Sequence, residues 1–162
     1  MNKIYFDNAA TTEMSDKVIS VIMDTMKNNY GNPSSTHSFG RNSKSILELS
    51  RKFIAEKLNA KTSEIIFTSG GTESNNMIIK SVVEAQNIQR IITTKIEHKA
   101  VLNSIESISK TKKISVEYLD VDNCGNPNIK QLKNSLEKSD QMTLVSLMHI
   151  NNEIGTIINL NE

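Results

Sequence analysis

Short apolar runs alternate with amphipathic segments from Glu64 onward, and this alternation constrains the fold more than any other feature of the sequence. Runs of four to eight residues rich in β-branched side chains predict strands, and the periodic segments between them predict helices. One helix between successive strands favours right-handed crossovers and a mainly parallel sheet with helices on both faces. The predicted fold is therefore α/β, with three αβα layers. The predicted strands are Ile65–Phe67, Arg90–Thr94, Ile114–Leu119 and Thr143–Met148, and the predicted helices are Thr72–Glu84, Lys99–Ser109 and Asn128–Leu136.

The first third of the chain predicts a short strand and two helices. The run Ile4–Phe6 is strand-like. Ser15 or Asp16 is placed to cap a first helix, whose apolar residues reach Met26. A loop rich in Gly, Pro and Ser then interrupts the pattern, and a second helix is predicted from Phe39 to Leu58.

Composition excludes several classes of function. The 162 residues hold 19 Lys and Arg against 18 Asp and Glu, and a net charge of +1 gives no basic excess for nucleic acid or an anionic membrane. No apolar run approaches the roughly 18–20 residues that a membrane span needs. The first residues show no signal-peptide pattern, and the single cysteine allows no internal disulfide. We therefore expect a cytoplasmic protein with neither nucleic-acid nor membrane partners.

A hydroxyl- and glycine-rich turn, Thr68–Thr72, lies between a predicted strand and a predicted helix. Backbone N–H groups at a helix start lack intrahelical partners, and the helix dipole places partial positive charge there. Glycines let a ligand approach the backbone closely, so the turn fits a phosphate group. An ordinary turn capped by Ser69 or Thr72 explains the same residues equally well. No Gly-Lys-Ser/Thr follows, so the turn is not a Walker-type loop.

Two polar residues follow later strands and are expected at the same edge of the sheet. Ligands of such sheets bind beyond the carboxyl ends of the strands. His98 follows the second predicted strand, where a neutral ring could stack on a flat cofactor or transfer a proton. Asn152 follows the last strand and could hold a cofactor hydroxyl or phenolate oxygen. The alternatives are a surface-loop histidine and an ordinary turn asparagine.

The remaining candidates carry weaker signals. We expect His149 to be a packed, hydrogen-bonded histidine, and we interpret Cys124 as incidental because no base is identified near it. His37 and the preceding Asn32–Ser35 loop form either a rim of the site or a plain connector. The three histidines lack metal-ligand spacing and there is no cysteine cluster, so no metal site is predicted.

Five motifs occur in the order typical of one family. Together they span nearly the whole chain, which resembles the N-terminal part of the class V aminotransferase-like cysteine desulfurases, enzymes that use pyridoxal 5′-phosphate (PLP). The motifs are Tyr5–Thr12, Gly31–Ser35, Phe67–Asn75, Glu97–Val101 and His149–Gly155.

The resemblance implies a fold, an activity and residue roles. The fold would be the incomplete large domain of a fold-type I PLP-dependent transferase, with residues 1–14 as an N-terminal arm that belongs to the small domain and active site and 15–162 as the partial PLP-binding domain. Gly71 and Thr72 would bind the PLP phosphate, His98 would stack on the pyridine ring and serve in acid–base steps, and Asn152 would bind the 3-oxygen. The family takes sulfur from L-cysteine as a persulfide on a mobile-loop cysteine and releases L-alanine. That sulfur is used for iron–sulfur cluster or thio-cofactor assembly. The family's enzymes are homodimers, and a scaffold or sulfur-acceptor protein would be a further partner.

The resemblance stops before several family features. This sequence has no counterpart of the aspartate that pairs with the pyridine nitrogen, of the lysine that attaches the cofactor, or of the loop cysteine. We therefore expect the C-terminal half to be absent and this chain alone to be inactive. Two alternatives stay open: a selenocysteine lyase or other class V PLP lyase, and a non-catalytic fragment that pairs with a full-length subunit.

Overall fold

A computed structural model describes residues 3–161 of the chain. The backbone forms two compact units, one that ends at Phe67 and one that begins at Thr68. The division between residues 14 and 15 implied by the resemblance stays a prediction. The elements in chain order are α1 (Asp16–Asn28), α2 (Ser38–Lys57), a 3₁₀ turn (Thr62–Glu64), α3 (Gly71–Ala85), β1 (Arg90–Thr94), α4 (Lys99–Lys112), β2 (Ser115–Leu119), α5 (Ile129–Glu137) and β3 (Thr143–Val145).

The first unit contains two capped helices, which confirm both helix predictions. The Ser15 hydroxyl accepts the Val18 amide at 3.4 Å and caps α1, as its position in the sequence predicts. His37 caps α2, where its Nδ1 atom accepts the Gly40 amide at 3.4 Å. Helix α1 buries none of its residues, so its apolar side chains remain exposed.

The strand predictions for Ile4–Phe6 and Ile65–Phe67 are wrong for the described part of the chain. Neither segment is hydrogen-bonded into a sheet within residues 3–161. Ile66 is 65% exposed and Phe67 is 44% exposed, although both have strong strand preference. A strand exists only as part of a hydrogen-bonded ladder, so a suitable side-chain pattern without a neighbouring strand leaves the backbone irregular.

The second unit contains the predicted parallel sheet, with strand order β2-β1-β3. The central strand β1 pairs in parallel with both neighbours, with Ile91 opposite Val116 on one side and Leu144 on the other. The strands start at or within one residue of the predicted positions. Strand β3 ends at Val145 rather than at the predicted Met148, because the Met148 amide donates to the Glu97 side chain instead of to a strand.

Helices cover both faces of this sheet, which confirms the three-layer prediction for the second unit. Ile91, Val116 and Leu144 belong to the core formed with α3 and α4. The alternating residues point to the opposite face, where Arg90 Nη1 donates to the Ser135 carbonyl of α5 at 3.2 Å. The core residues on the first face are Ile79, Val83, Ile88, Ile91, Val101, Ile105, Ile108 and Ile114.

The strand order indicates the end of the sheet at which a ligand is expected. The chain moves from β1 to β2 on one side and then crosses to β3 on the other, which puts α4 and α5 on opposite faces. Because β2 and β3 lie on opposite sides of β1, the two connections cross the sheet in opposite directions. Doubly wound sheets bind ligands at such a point, beyond the carboxyl ends of the strands. Residues 95–98 and 146–152 occupy that position.

Candidate functional site

The loops that follow β1 and β3 are joined by two polar contacts, each made by a buried side chain. Glu97 is 8% exposed, and its Oε1 accepts the Met148 amide at 2.7 Å and the Thr94 hydroxyl at 3.2 Å. Asn151 is 5% exposed, and its Nδ2 donates to the Ile96 carbonyl at 3.0 Å. Each loop thus contributes one side chain that binds the backbone of the other loop. We call the pair of contacts Glu97–Met148 and Asn151–Ile96 the clamp.

Burial changes the pKa of the Glu97 carboxyl group. Burial, the largest influence, raises its pKa above the ordinary value, while hydrogen bonds from Met148 and Thr94 lower it in part. Sequence reasoning assigned no role to Glu97 or Asn151. The signal available was a polar residue directly before each predicted site residue.

His98 lies at the first position before α4 and serves as its N-cap. Its Nδ1 atom accepts the Ala100 amide at 3.0 Å, and the side chain is exposed. Because Nδ1 is the acceptor in this contact, Nε2 is the nitrogen that carries the proton of the neutral ring. The ring is therefore held by one nitrogen and presents a donor at the other.

Asn152 is exposed on a turn that its buried neighbour organises. Asn151 Oδ1 accepts the amides of Glu153 at 2.9 Å and Ile154 at 3.2 Å, and the Asn151 carbonyl accepts the Gly155 amide at 2.8 Å. The Asn152 Nδ2 atom lies 3.4 Å from Glu153 Oε1. The turn geometry is thus set by Asn151, while the Asn152 amide group extends from it.

The Thr68–Thr72 turn is built differently from the ordinary capped turn. Gly70 is the N-cap of α3 and makes no side-chain capping bond, so neither Ser69 nor Thr72 caps the helix. Glu73 Oε2 instead accepts the Ser69 amide at 2.6 Å and hydroxyl at 2.7 Å. The Ser69 hydroxyl first and its amide second lower the pKa of Glu73.

Of the four hydroxyl groups near this turn, three are committed to internal contacts. Thr68 Oγ1 lies 2.7 Å from Ser74 Oγ, and the Ser69 hydroxyl binds Glu73. Within residues 3–161 the Thr72 hydroxyl makes no such contact, and a Cβ added at Gly70 or Gly71 would meet nothing within 4 Å. The start of α3 therefore offers open space, first-turn N–H groups and one hydroxyl, which is a donor set that suits a phosphate.

Helix α3 brings this turn to the same end of the sheet as His98. Residues 86–89 connect α3 to β1, and the Gln89 amide donates to the Met142 carbonyl, where β1 and β3 begin. The C-terminal end of α3 thus lies at the amino end of the strands. Because α3 packs along the sheet through Ile79 and Val83, its N-terminal end lies toward the carboxyl end.

The other candidates occupy less informative positions. His149 is exposed, so the expectation of a packed histidine is wrong; its carbonyl accepts the Ile158 amide at 2.9 Å. Cys124 is exposed in a turn, and its backbone carbonyl accepts a hydrogen bond from the Thr156 hydroxyl. His37 belongs to the first unit. Among the described residues, no group of His, Cys, Asp or Glu could hold a metal ion and no helix could cross a membrane.

Comparisons with known proteins agree on one family. The family model for aminotransferase class-V matches residues 4–162. A cysteine desulfurase IscS from Dictyoglomus turgidum is 45% identical over 96% of this chain, which covers 39% of that protein. A solved NifS-like protein superposes with a TM-score of 0.87 at 41% identity, over 97% of this chain and 43% of its own. A second structure, described as SspA in complex with cysteine, gives a TM-score of 0.84 at 32% identity, over 95% and 44%. The chain thus spans about two-fifths of the length of these relatives.

Proposed function

The chain belongs to the class V aminotransferases, among their cysteine desulfurases, and on this premise we propose that it forms the N-terminal part of a PLP-dependent enzyme that removes sulfur from L-cysteine. The products would be L-alanine and an enzyme-bound persulfide that supplies iron–sulfur cluster or thio-cofactor assembly. The observation that carries the proposal is the α3 N-terminus, where the Thr72 hydroxyl makes no hydrogen bond among the described residues and lies beside two glycines with open space around them.

The residues at the start of α3 fit the cofactor's phosphate. Gly71 and Thr72 supply backbone N–H groups, and Thr72 adds its hydroxyl. Glu73 turns its carboxylate back to Ser69, which keeps that negative charge occupied by two donors. PLP, when bound, supplies an electron sink for the substrate's bond cleavage.

His98 and Asn152 would bind the cofactor's ring. The His98 imidazole, held by its Nδ1 contact with Ala100, would stack on the pyridine and hold or deliver a proton at Nε2. Asn152 would donate from its amide to the ring's 3-oxygen. Both side chains are exposed on loops that the clamp holds together, so both are accessible to a ligand.

The substrate and partner assignments rest on relatives. The neighbour described as a complex with cysteine supports L-cysteine as the substrate. A homodimer and a scaffold or sulfur-acceptor protein are proposed partners of the complete enzyme. Exposed apolar residues of α1, such as Val21, Met23 and Met26, support further polypeptide packing on the first unit.

The phosphate assignment is tested by titrating PLP into the 162-residue chain and following its phosphorus NMR signal. Replacing Thr72 by valine removes one donor to a charged oxygen without changing the side-chain shape. We expect PLP affinity to fall about 10-fold, since a hydrogen bond to a charged group contributes about 1.5 kcal/mol. Thr68→Val is the matched control, because its hydroxyl is committed to Ser74 and Gly70. Equal affinities for the two variants would contradict the assignment.

Activity is tested by joining this chain to the remaining three-fifths of the Dictyoglomus turgidum relative. The joined protein should form L-alanine from L-cysteine, and the isolated chain should not. His98→Gln in the joined protein should lower the rate by about 100-fold or more, the usual contribution of a general acid–base group. Turnover by the isolated chain, or full activity of the His98 variant, would refute this part of the proposal.

A further inference from the structure

We propose that Glu97 and Asn151 are positioning residues: through the clamp they set the spacing between the loop that carries His98 and the loop that carries Asn152. This inference rests on the proposed function, because the spacing matters through a ligand that both loops contact. Neither residue would touch that ligand itself.

The geometry of the clamp is reciprocal. A side chain from the β1 loop binds the backbone of the β3 loop at 2.7 Å, and a side chain from the β3 loop binds the backbone of the β1 loop at 3.0 Å. Two crossing contacts fix both separation and rotation, whereas one contact would leave the loops free to pivot. Each clamp residue directly precedes an exposed site residue, so a displacement of Glu97 or Asn151 moves His98 or Asn152 with it.

Burial separates the positioning residues from the site residues. Glu97 and Asn151 are buried, and His98 and Asn152 are exposed. Buried hydrogen bonds in surroundings of low polarity are stronger and more costly to break than exposed ones. The clamp is therefore a rigid support, and a small misplacement of groups it supports reduces binding and catalysis strongly.

A third contact holds the Asn151–Gly155 turn from the outside. The Thr156 hydroxyl donates to the Cys124 carbonyl, and Gly125, with a φ of +83°, packs so closely that a Cβ there would collide with the Ile154 side chain. Asp122 Oδ1 fixes this neighbouring turn by accepting the amides of Cys124 at 2.8 Å and Asn126 at 2.9 Å. The β3 loop is thus confined between the clamp and the Asp122–Asn126 turn.

The ligand-free test follows backbone amide signals of the 162-residue chain by NMR. Asn151→Asp keeps the Oδ1 acceptor of the turn but loses the donor to Ile96, so it should shift the amide signals of His98 and Lys99 on the other loop. Glu97→Ala should in turn shift the amide signal of Asn152. Glu106→Gln, an exposed carboxylate of α4, is the control and should shift neither loop. Shifts confined to the mutated loop would overturn the proposal.

A double-mutant cycle separates positioning from a purely structural effect. PLP is titrated into the Asn151→Asp variant, the Asn152→Ala variant and the double variant. If Asn151 acts through Asn152, Asn151→Asp should weaken PLP binding about 5-fold in the otherwise unchanged chain and have little effect in the Asn152→Ala background. The same fold-change in both backgrounds would overturn the proposal. Failure of the unchanged chain to bind PLP would contradict the phosphate assignment at the start of α3, and the cross-loop NMR shifts would still test the clamp.

Discussion

Replacing Glu97 by glutamine is expected to change how the stability of the protein depends on pH. The carboxyl group is buried, and that burial raises its pKa above the ordinary value of 4.5. A group whose pKa is higher in the folded state binds its proton more tightly there than in the unfolded chain. From pH 4.5 up to the raised pKa, the contribution of Glu97 to the free energy of unfolding therefore falls as the pH rises. Above that pKa the loss is complete and constant.

The size of the effect follows from what each substitution removes. Glutamine keeps an oxygen for the Met148 amide and the Thr94 hydroxyl but has no charge to desolvate. At acidic pH the free energy of unfolding of the glutamine variant should therefore equal that of the parent chain. Between pH 4.5 and the raised pKa of Glu97 the variant should become more stable than the parent, by at most about 1.4 kcal/mol per pH unit, the limit for one proton. Alanine removes the acceptor as well and leaves two donors unpaired, so it should be about 2–4 kcal/mol less stable than the glutamine variant at every pH.

The assay is urea unfolding followed by far-ultraviolet circular dichroism, since the chain has no tryptophan. Measurements run from about pH 3 to about pH 8, so that they include the range below pH 4.5 in which the control responds. Glu106→Gln is the control, and its effect has the opposite sign. The hydrogen bond of Glu106 with Lys110 and then the charge of Lys110 lower the pKa of Glu106. The stability that this pair contributes is therefore present above pH 4.5 and lost as the pH falls. A pH-independent difference for Glu97→Gln, or one that follows the Glu106 control, would refute the burial argument.

Two further pairs of variants test the packing of the second unit by the same urea assay. Gly125→Ala should lower the free energy of unfolding by about 2–4 kcal/mol, because the left-handed backbone and a collision with Ile154 both oppose a Cβ. Gly155→Ala should lower it by only about 1–2 kcal/mol, because Gly155 has a φ of +75° but open space around it. Equal losses would argue against the close approach of Ile154 to Gly125. Arg90→Met should lower the free energy of unfolding by about 1–3 kcal/mol, because the Arg90 side chain is only 11% exposed and binds Thr143 and Ser135. Lys112→Met breaks an exposed pair with Glu84 and should cost under about 1 kcal/mol. A smaller loss for Arg90 than for Lys112 would contradict this assignment.

The helices and the sheet of the second unit were predictable because their information is local. Apolar spacing identified α3, α4 and α5, and β-branched runs identified the three strands that pair. The parallel arrangement followed from the connection lengths, which leave room for one helix each. His98 and Asn152 could be proposed because strand ends of a parallel sheet share an edge. Their positions after β1 and β3 needed no knowledge of side-chain contacts.

The clamp could not be predicted, because it depends on contacts between residues far apart in the sequence. Glu97 and Met148 are separated by 51 positions, and Asn151 and Ile96 by 55. A glutamate at the end of a strand is usually exposed, and only the packed loops show that this one is buried. The exposure of His149 was missed for the same reason: its place at a strand end suggested packing, but β3 ends three residues before that expectation required.

The Ile65–Phe67 segment shows how pattern and pairing differ. Its side chains have the same character as those of Arg90–Thr94, yet only the latter has a strand on each side. In this parallel sheet a helix joins each strand to the next strand of the sequence, which need not be its neighbour in the sheet, so a strand's own sequence does not determine its partner. The turn after Ile65–Phe67 is nevertheless well formed, because it depends on α3 and on the Glu73 and Ser74 contacts. The proposed phosphate site at that turn therefore does not depend on Ile65–Phe67 forming a strand.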